Sequence, residues 1–138
     1  MLMKLSDQLQ NELIERALKV RRNAYAPYSK YAVGAALLAD SGEIYTGSNV
    51  ENSAYPTSMC AERSAIFRAV SEGERKFKAI VVATENGGSP CGSCRQVMSE
   101  FGLDMLVLMV DEDGKVCQES TVGALLPESF GPGDLSTS

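Results

Sequence analysis

The sequence predicts a three-layer α/β/α sandwich built on a mixed five-stranded sheet. Three observations carry this. The short apolar runs at 78–84 and 105–110 have the length and composition of buried central strands, and a helical segment separates them. Residues 33–39 and 44–48 read as two strands around the turn Asp40-Ser41-Gly42, which makes an antiparallel hairpin. Elsewhere strands are joined by helices, which favours parallel pairing with helices on both faces of the sheet.

Each element has its own signal. From 7 to 24, Leu9, Leu13, Ala17 and Val20 recur at helical spacing, with Ser6 or Asp7 as the cap. Ala26-Pro27-Tyr28-Ser29 breaks that helix. After the hairpin, Asn49, Asn52, Ser53 and Pro56 mark a loop over 49–59. Residues 60–70 read as a helix with Ala61, Ala65, Ile66 and Ala69 as its buried stripe, ended by Gly73. The turn-rich Asn86-Gly87-Gly88-Ser89-Pro90 follows the first apolar strand and leads into a helix over 91–101. After the second apolar strand come a turn at 111–114, an edge strand over 115–119 and a short helix over 121–126 stopped by Pro127. The expected organisation is one domain over 1–130 and a flexible tail over 131–138, with no internal repeat or linker.

The totals narrow the function. A chain of 138 residues suits one domain, and 44% hydrophobic with 22% charged residues is ordinary for a globular protein. A formal net charge of −5 argues against a nucleic-acid partner. The densest basic group, Lys19, Arg21 and Arg22, reads as a solvated helix face. No apolar run approaches the roughly 18 residues of a membrane span, and the first residues lack the apolar core of a signal peptide, so a cytoplasmic location without membrane partners is expected. There is no histidine, which excludes hydrolases that need a histidine base.

In that setting the four cysteines point to metal or catalysis rather than to disulfides. Cys60 opens one predicted helix, Cys91 opens another, and Cys94 lies one turn further along. An i, i+3 pair in a first helical turn can aim two sulfurs at one ion. Helix N-termini favour the thiolate that zinc needs. Three protein ligands leave a fourth tetrahedral position open, as in catalytic zinc sites. Glu62, two residues after Cys60, can stand beside a water on that ion and exchange protons with it. The sequence Cys60-Ala61-Glu62 followed by Pro90-Cys91-Gly92-Ser93-Cys94 is the ligand-x-Glu and Pro-Cys-x-x-Cys pattern of zinc deaminases. Cys117 lies outside it and reads as a buried structural cysteine.

Over nearly its whole length the chain resembles the small-subunit, homotetrameric, zinc-dependent cytidine deaminases. The matching stretches are Ala26-Pro27-Tyr28-Ser29, Val33-Gly34-Ala35-Ala36-Leu37, Asn49-Val50-Glu51-Asn52, Cys60-Ala61-Glu62-Arg63, Pro90-Cys91-Gly92-Ser93-Cys94-Arg95-Gln96 and Leu125-Leu126-Pro127. The resemblance implies that fold, one zinc ion per chain on Cys60, Cys91 and Cys94, and Glu62 as proton shuttle. It further implies that Asn49 and Glu51 bind the ribose hydroxyls and that the main chain of Ala61 reads the base. Arg63 would donate to the ligand thiolates, and Phe130 would pack on the substrate, sometimes that of a neighbouring subunit. Tyr31 stands where the family usually has phenylalanine packed on the pyrimidine, so its hydroxyl needs a partner or water. The loop Tyr55-Pro56-Thr57-Ser58-Met59 also departs from the family's run.

The implied activity is hydrolytic deamination of cytidine or deoxycytidine, a step of pyrimidine salvage. Two alternatives stay open at this point. The same chemistry could act on a modified cytidine or on a nucleoside antibiotic such as blasticidin S. The chain could instead be a non-enzymatic module with a closed structural zinc site, for which Cys117 would be the fourth ligand.

Overall fold

The structure, a computed structural model, describes residues 4–135. Helix α1, Asp7–Arg21, begins where the Ser6 hydroxyl accepts from Leu9 N at 3.2 Å, and it buries Leu13, Ile14 and Ala17. It stops three residues before the expected end. Tyr25 is held in an extended pairing, donating to Asn49 O at 2.9 Å and accepting from Glu51 N at 2.8 Å. A helical backbone there could not make those bonds. Arg21 also departs from the solvated face expected of the basic group: it is half-buried, and its Nε donates to Ala32 O at 2.9 Å.

The sheet holds β1 (Gly34–Ala39), β2 (Ile44–Ser48), β3 (Phe77–Ala83), β4 (Leu106–Val110) and β5 (Val116–Thr121) in the order β2-β1-β3-β4-β5. Only β3 and β4 pair in parallel; the other neighbours are antiparallel. The parallel pair is the one joined by a crossover helix between adjacent strands, α3 (Gly92–Phe101). Side chains of the central strands alternate between two apolar layers. Leu37, Ile80, Val82, Val107 and Met109 pack with α2 (Ala61–Ser71) and α3, whereas Leu38, Val81, Leu106 and Leu108 pack with α1. Helices cover both faces, as the alternation of elements predicts.

β5 closes one edge and leads into the short α4, Val122–Leu125, whose first turn is capped by the Thr121 hydroxyl accepting from Ala124 N at 3.2 Å. On that edge Cys117 is exposed, not buried, because an edge strand has one face toward solvent here. Past Gly131, where no order is expected, Pro132–Asp134 form a 3-10 turn closed by Gly131 N donating to Asp134 Oδ2 at 2.8 Å. The rest of the expected tail, 136–138, lies outside the described residues. Among the described residues no helix is long and apolar enough to cross a membrane.

The topology brings two helix starts together. β2 and β3 both run antiparallel to β1, which lies between them, so they point the same way. The chain leaves the end of β2 into the 49–60 loop and then α2. It leaves the end of β3 into the 84–91 loop and then α3. Both helices therefore begin at the same end of the sheet.

Candidate active site

Cys60 is the N-cap of α2 and Cys91 the N-cap of α3, both with extended backbone, and Cys94 is buried in the first turn of α3. The three sulfurs lie within 4.8 Å of one another, with Cys60 and Cys91 3.9 Å apart and Cys91 and Cys94 3.5 Å apart. Among the described residues no fourth histidine, cysteine or carboxylate joins them, and Cys117 packs elsewhere, against Gly87. That leaves the closed structural site without its fourth donor.

One sulfur of the cluster, that of Cys60, is set up as a thiolate. The Cys60 thiol is lowered to about 5, first by hydrogen bonding from Cys94 and then by Arg63, against the cost of its burial. Cys94 is pushed up, because its proton is held toward the Cys60 sulfur and it is buried. The Arg63 Nη2 donates to Cys60 Sγ at 3.3 Å, while its Nε is buried with no partner. An all-thiolate donor set suits zinc, and three thiolates with one divalent ion leave a net charge of −1 for Arg63 to offset. The residues fit a zinc ion on both counts.

Beside the cluster opens a cleft of about 540 Å³, within the range of small-molecule sites. Cys60, Ala61, Glu62 and Arg63 form its floor, with Cys91 and Ser93 next to them. Glu62 is only 5% exposed, and burial pushes its carboxyl up to about 6. Tyr31, Asn49 and Glu51 line the same cleft. The Asn49 amide is tied to the backbone, accepting from Val33 N and donating to Tyr31 O, both at 2.9 Å. Glu51 accepts from Tyr28 N at 3.0 Å, from Ser29 N at 3.1 Å and from the Ser29 hydroxyl; these bonds from Ser29 hold its carboxyl below the usual range. The Tyr31 hydroxyl finds a protein partner, Asn86.

Of the residues singled out in the sequence, the cleft gathers Cys60, Cys91, Glu62, Ala61, Arg63, Asn49, Glu51 and Tyr31, and Cys94 joins the sulfur cluster beside it. Phe130 is the exception. It is 56% exposed, does not line the cleft, and contributes only its carbonyl, which accepts from Gln96 Nε2 at 2.8 Å. The sequence reading overlooked Ser29, Thr84, Asn86 and Arg95. For Arg95 a signal existed: it stands four residues after Cys91, which on a helix places its side chain back over the cysteine.

Comparison with known proteins agrees with this geometry. Residues 7–110 match the family model described as the cytidine and deoxycytidylate deaminase zinc-binding region. The chain belongs to this family. A cytidine deaminase of Sporosarcina psychrophila is 52% identical over 128 residues, covering 91% of this chain and 93% of the relative. That of Halalkalibacterium halodurans is 45% identical, covering 90% and 96%. Among solved structures, a cytidine deaminase from Burkholderia pseudomallei superposes with a TM-score of 0.84 at 42% identity, covering 91% of this chain and all (100%) of that one. Zinc binding goes with this family, and Cys60, Cys91 and Cys94 form the one cluster among the described residues that could hold a metal ion.

Proposed function

We propose that the chain is a cytidine deaminase, hydrolysing cytidine or deoxycytidine to uridine or deoxyuridine and ammonia. The observation that carries this is the meeting of a buried carboxylate, Glu62, with a cluster of three cysteine sulfurs, of which Cys60 and Cys91 line a nucleoside-sized cleft. A zinc ion on Cys60, Cys91 and Cys94, when bound, supplies the Lewis acidity that makes water a nucleophile near neutral pH. Glu62 does the proton work. It accepts one proton from the attacking water and delivers it to ring N3; it then takes the second from the new hydroxyl on C4 and delivers it to the exocyclic amine as the C4–N bond breaks and the carbonyl forms. One C–O bond forms, one C–N bond breaks, and ammonia leaves. Arg63 keeps the negative cluster stable by donating to Cys60.

Other residues lining the cleft hold the sugar and the ring. Asn49 and Glu51 bind the ribose hydroxyls; a carboxylate accepts about four hydrogen bonds, and three on Glu51 come from Tyr28 and Ser29. Those contacts orient the carboxylate and leave it able to accept one more. The start of α2 offers main-chain groups at Ala61 to the base, and the Tyr31 ring packs on the pyrimidine. Phe130 lies away from the cleft of its own chain, so its substrate contact belongs to a neighbouring copy, in keeping with a homotetramer. In this reading residues 1–130 act as one catalytic domain with 131–138 as its tail, and the enzyme serves pyrimidine salvage in the cytoplasm.

The test is ammonia release, or the ultraviolet change from cytidine to uridine, on protein with measured zinc content. Turnover at about one zinc per chain supports the reading. Zinc-loaded protein that turns over no cytosine nucleoside overturns it. Sedimentation that finds an active monomer overturns the tetramer.

A further inference from the structure

The functional reading makes no use of Arg95, yet this side chain has a full set of partners around one metal ligand. Its Nε donates to Pro90 O at 2.8 Å, its Nη2 to the Ser89 hydroxyl at 3.0 Å, and its Nη1 to Leu125 O at 2.8 Å. Its own main-chain N–H donates to Cys91 O at 3.0 Å. One residue thus bonds to 89, 90 and 91 in succession and ties them to the end of α4.

Cys91 needs such a support. Cys94 is set by the helix it belongs to and is buried, and Cys60 has Arg63 beside it. Cys91 is exposed, sits outside the helix as its N-cap, makes no side-chain capping bond, and is followed by Gly92, whose surroundings are open. Pro90 before it has no N–H to anchor the loop. Nor is Arg95 a surface cation paired with a carboxylate: none of the salt bridges among the described residues includes it, and all three guanidinium contacts are to neutral oxygens. A planar guanidinium is suited to this task, since it presents several donors in a fixed fork where lysine offers a point charge.

We propose that Arg95 is a positioning residue that clamps the 89–91 segment and so fixes Cys91 for the metal. This rests on the reading of the three sulfurs as a zinc site. The clamp acts through the loop, with no contact to the metal or the substrate.

The experiment follows zinc release to a chromogenic chelator and the thiolate-to-metal absorption of cobalt-substituted protein. It uses Arg95→Met, Arg95→Lys and Ser89→Ala. Arg95→Met should release zinc about tenfold faster or more, with displaced cobalt bands. Arg95→Lys should recover part of the loss by keeping one contact, and Ser89→Ala should accelerate release about twofold to threefold. Wild-type release and an unchanged cobalt spectrum in folded Arg95→Met overturn the clamp. If that variant does not fold, the same result in both Arg95→Lys and Ser89→Ala overturns it. A wild-type protein that binds no zinc refutes the functional reading instead. The clamp is then read from alkylation of Cys91 in metal-free protein, where a faster rate in Arg95→Lys supports it and an equal rate refutes it.

Discussion

The Tyr31 hydroxyl donates to Asn86 Oδ1 at 2.7 Å, joining the lining of the cleft to the loop that leads into Cys91. Gly88 makes room for this pair: a Cβ there would stand 2.8 Å from the Tyr31 hydroxyl oxygen. Its N–H donates to the Thr84 hydroxyl at 2.9 Å, so the loop is held to the end of β3 as well. The extra hydroxyl is therefore taken up by protein. Tyr31→Phe should raise KM for cytidine by up to about fivefold, the worth of one exposed-to-half-buried hydrogen bond. Asn86→Leu should do the same, and the double variant should be no worse than either. Steady-state kinetics on the double-mutant cycle checks this; additive effects would show that the pair is not coupled.

In the proposed mechanism Glu62 carries protons and does not hold the metal, so one substitution separates metal binding from chemistry. Glu62→Gln keeps the shape and removes the proton carrier. It should lower kcat by about a hundredfold to ten-thousandfold while zinc content stays at the wild-type level. Metal analysis on the same sample as the rate assay tests both halves. An active, zinc-loaded variant would refute the assignment.

α2 reaches the site because it can lie close on β2. At Gly47 a Cβ would meet Ala65 N at 2.5 Å and both Ala61 O and Ser64 Cβ at 2.8 Å. Two of these three atoms are backbone, so they cannot rotate away. Gly47→Ala should cost about 1–3 kcal/mol or more of stability, seen as a fall in Tm, and should weaken activity through the displaced floor. Gly42→Ala is the control for turn strain, since its φ is +95° but nothing lies near its Cβ. Gly47→Ala with wild-type Tm would show that α2 has room to spare.

The Glu51 carboxyl is held below the usual carboxylate range, first by the Ser29 hydroxyl and then by the Ser29 N–H. The sign follows from linkage: a depressed carboxylate pKa contributes stability above the unfolded pKa, and loses it as pH falls through the lower folded value. Carbon NMR of the Glu51 carboxyl should show this low midpoint, and Ser29→Ala should raise it toward the ordinary range. An unchanged midpoint in Ser29→Ala would assign the depression to another source.

Much of the fold was legible because its signals are local. The alternation of strand residues between two apolar layers, the stripe Ala61, Ala65, Ile66 and Ala69, and the Asp40-Ser41-Gly42 turn each lie within a few residues of one another. The cysteine cluster was legible for the same reason: Cys60 and the Cys91–Cys94 pair mark two helix starts by their own neighbours in sequence. The end of α1 was not, because it depends on the pairing of Tyr25 with residues 49–51, more than twenty positions away.

The sequence by itself determined the order of elements, the three cysteines at two helix starts, and the presence of a carboxylate two residues after one of them. Spacing and residue type suffice for those. Only the tertiary structure decided that Cys117 is exposed at an edge, that Phe130 lies outside the cleft of its own chain, and that Asn86, Ser29 and Arg95 support the site. Apart from the local reach of Arg95 to Ser89 and Pro90, those partners come from different segments. They meet because β2 and β3 run the same way and deliver two loops to one end of the sheet.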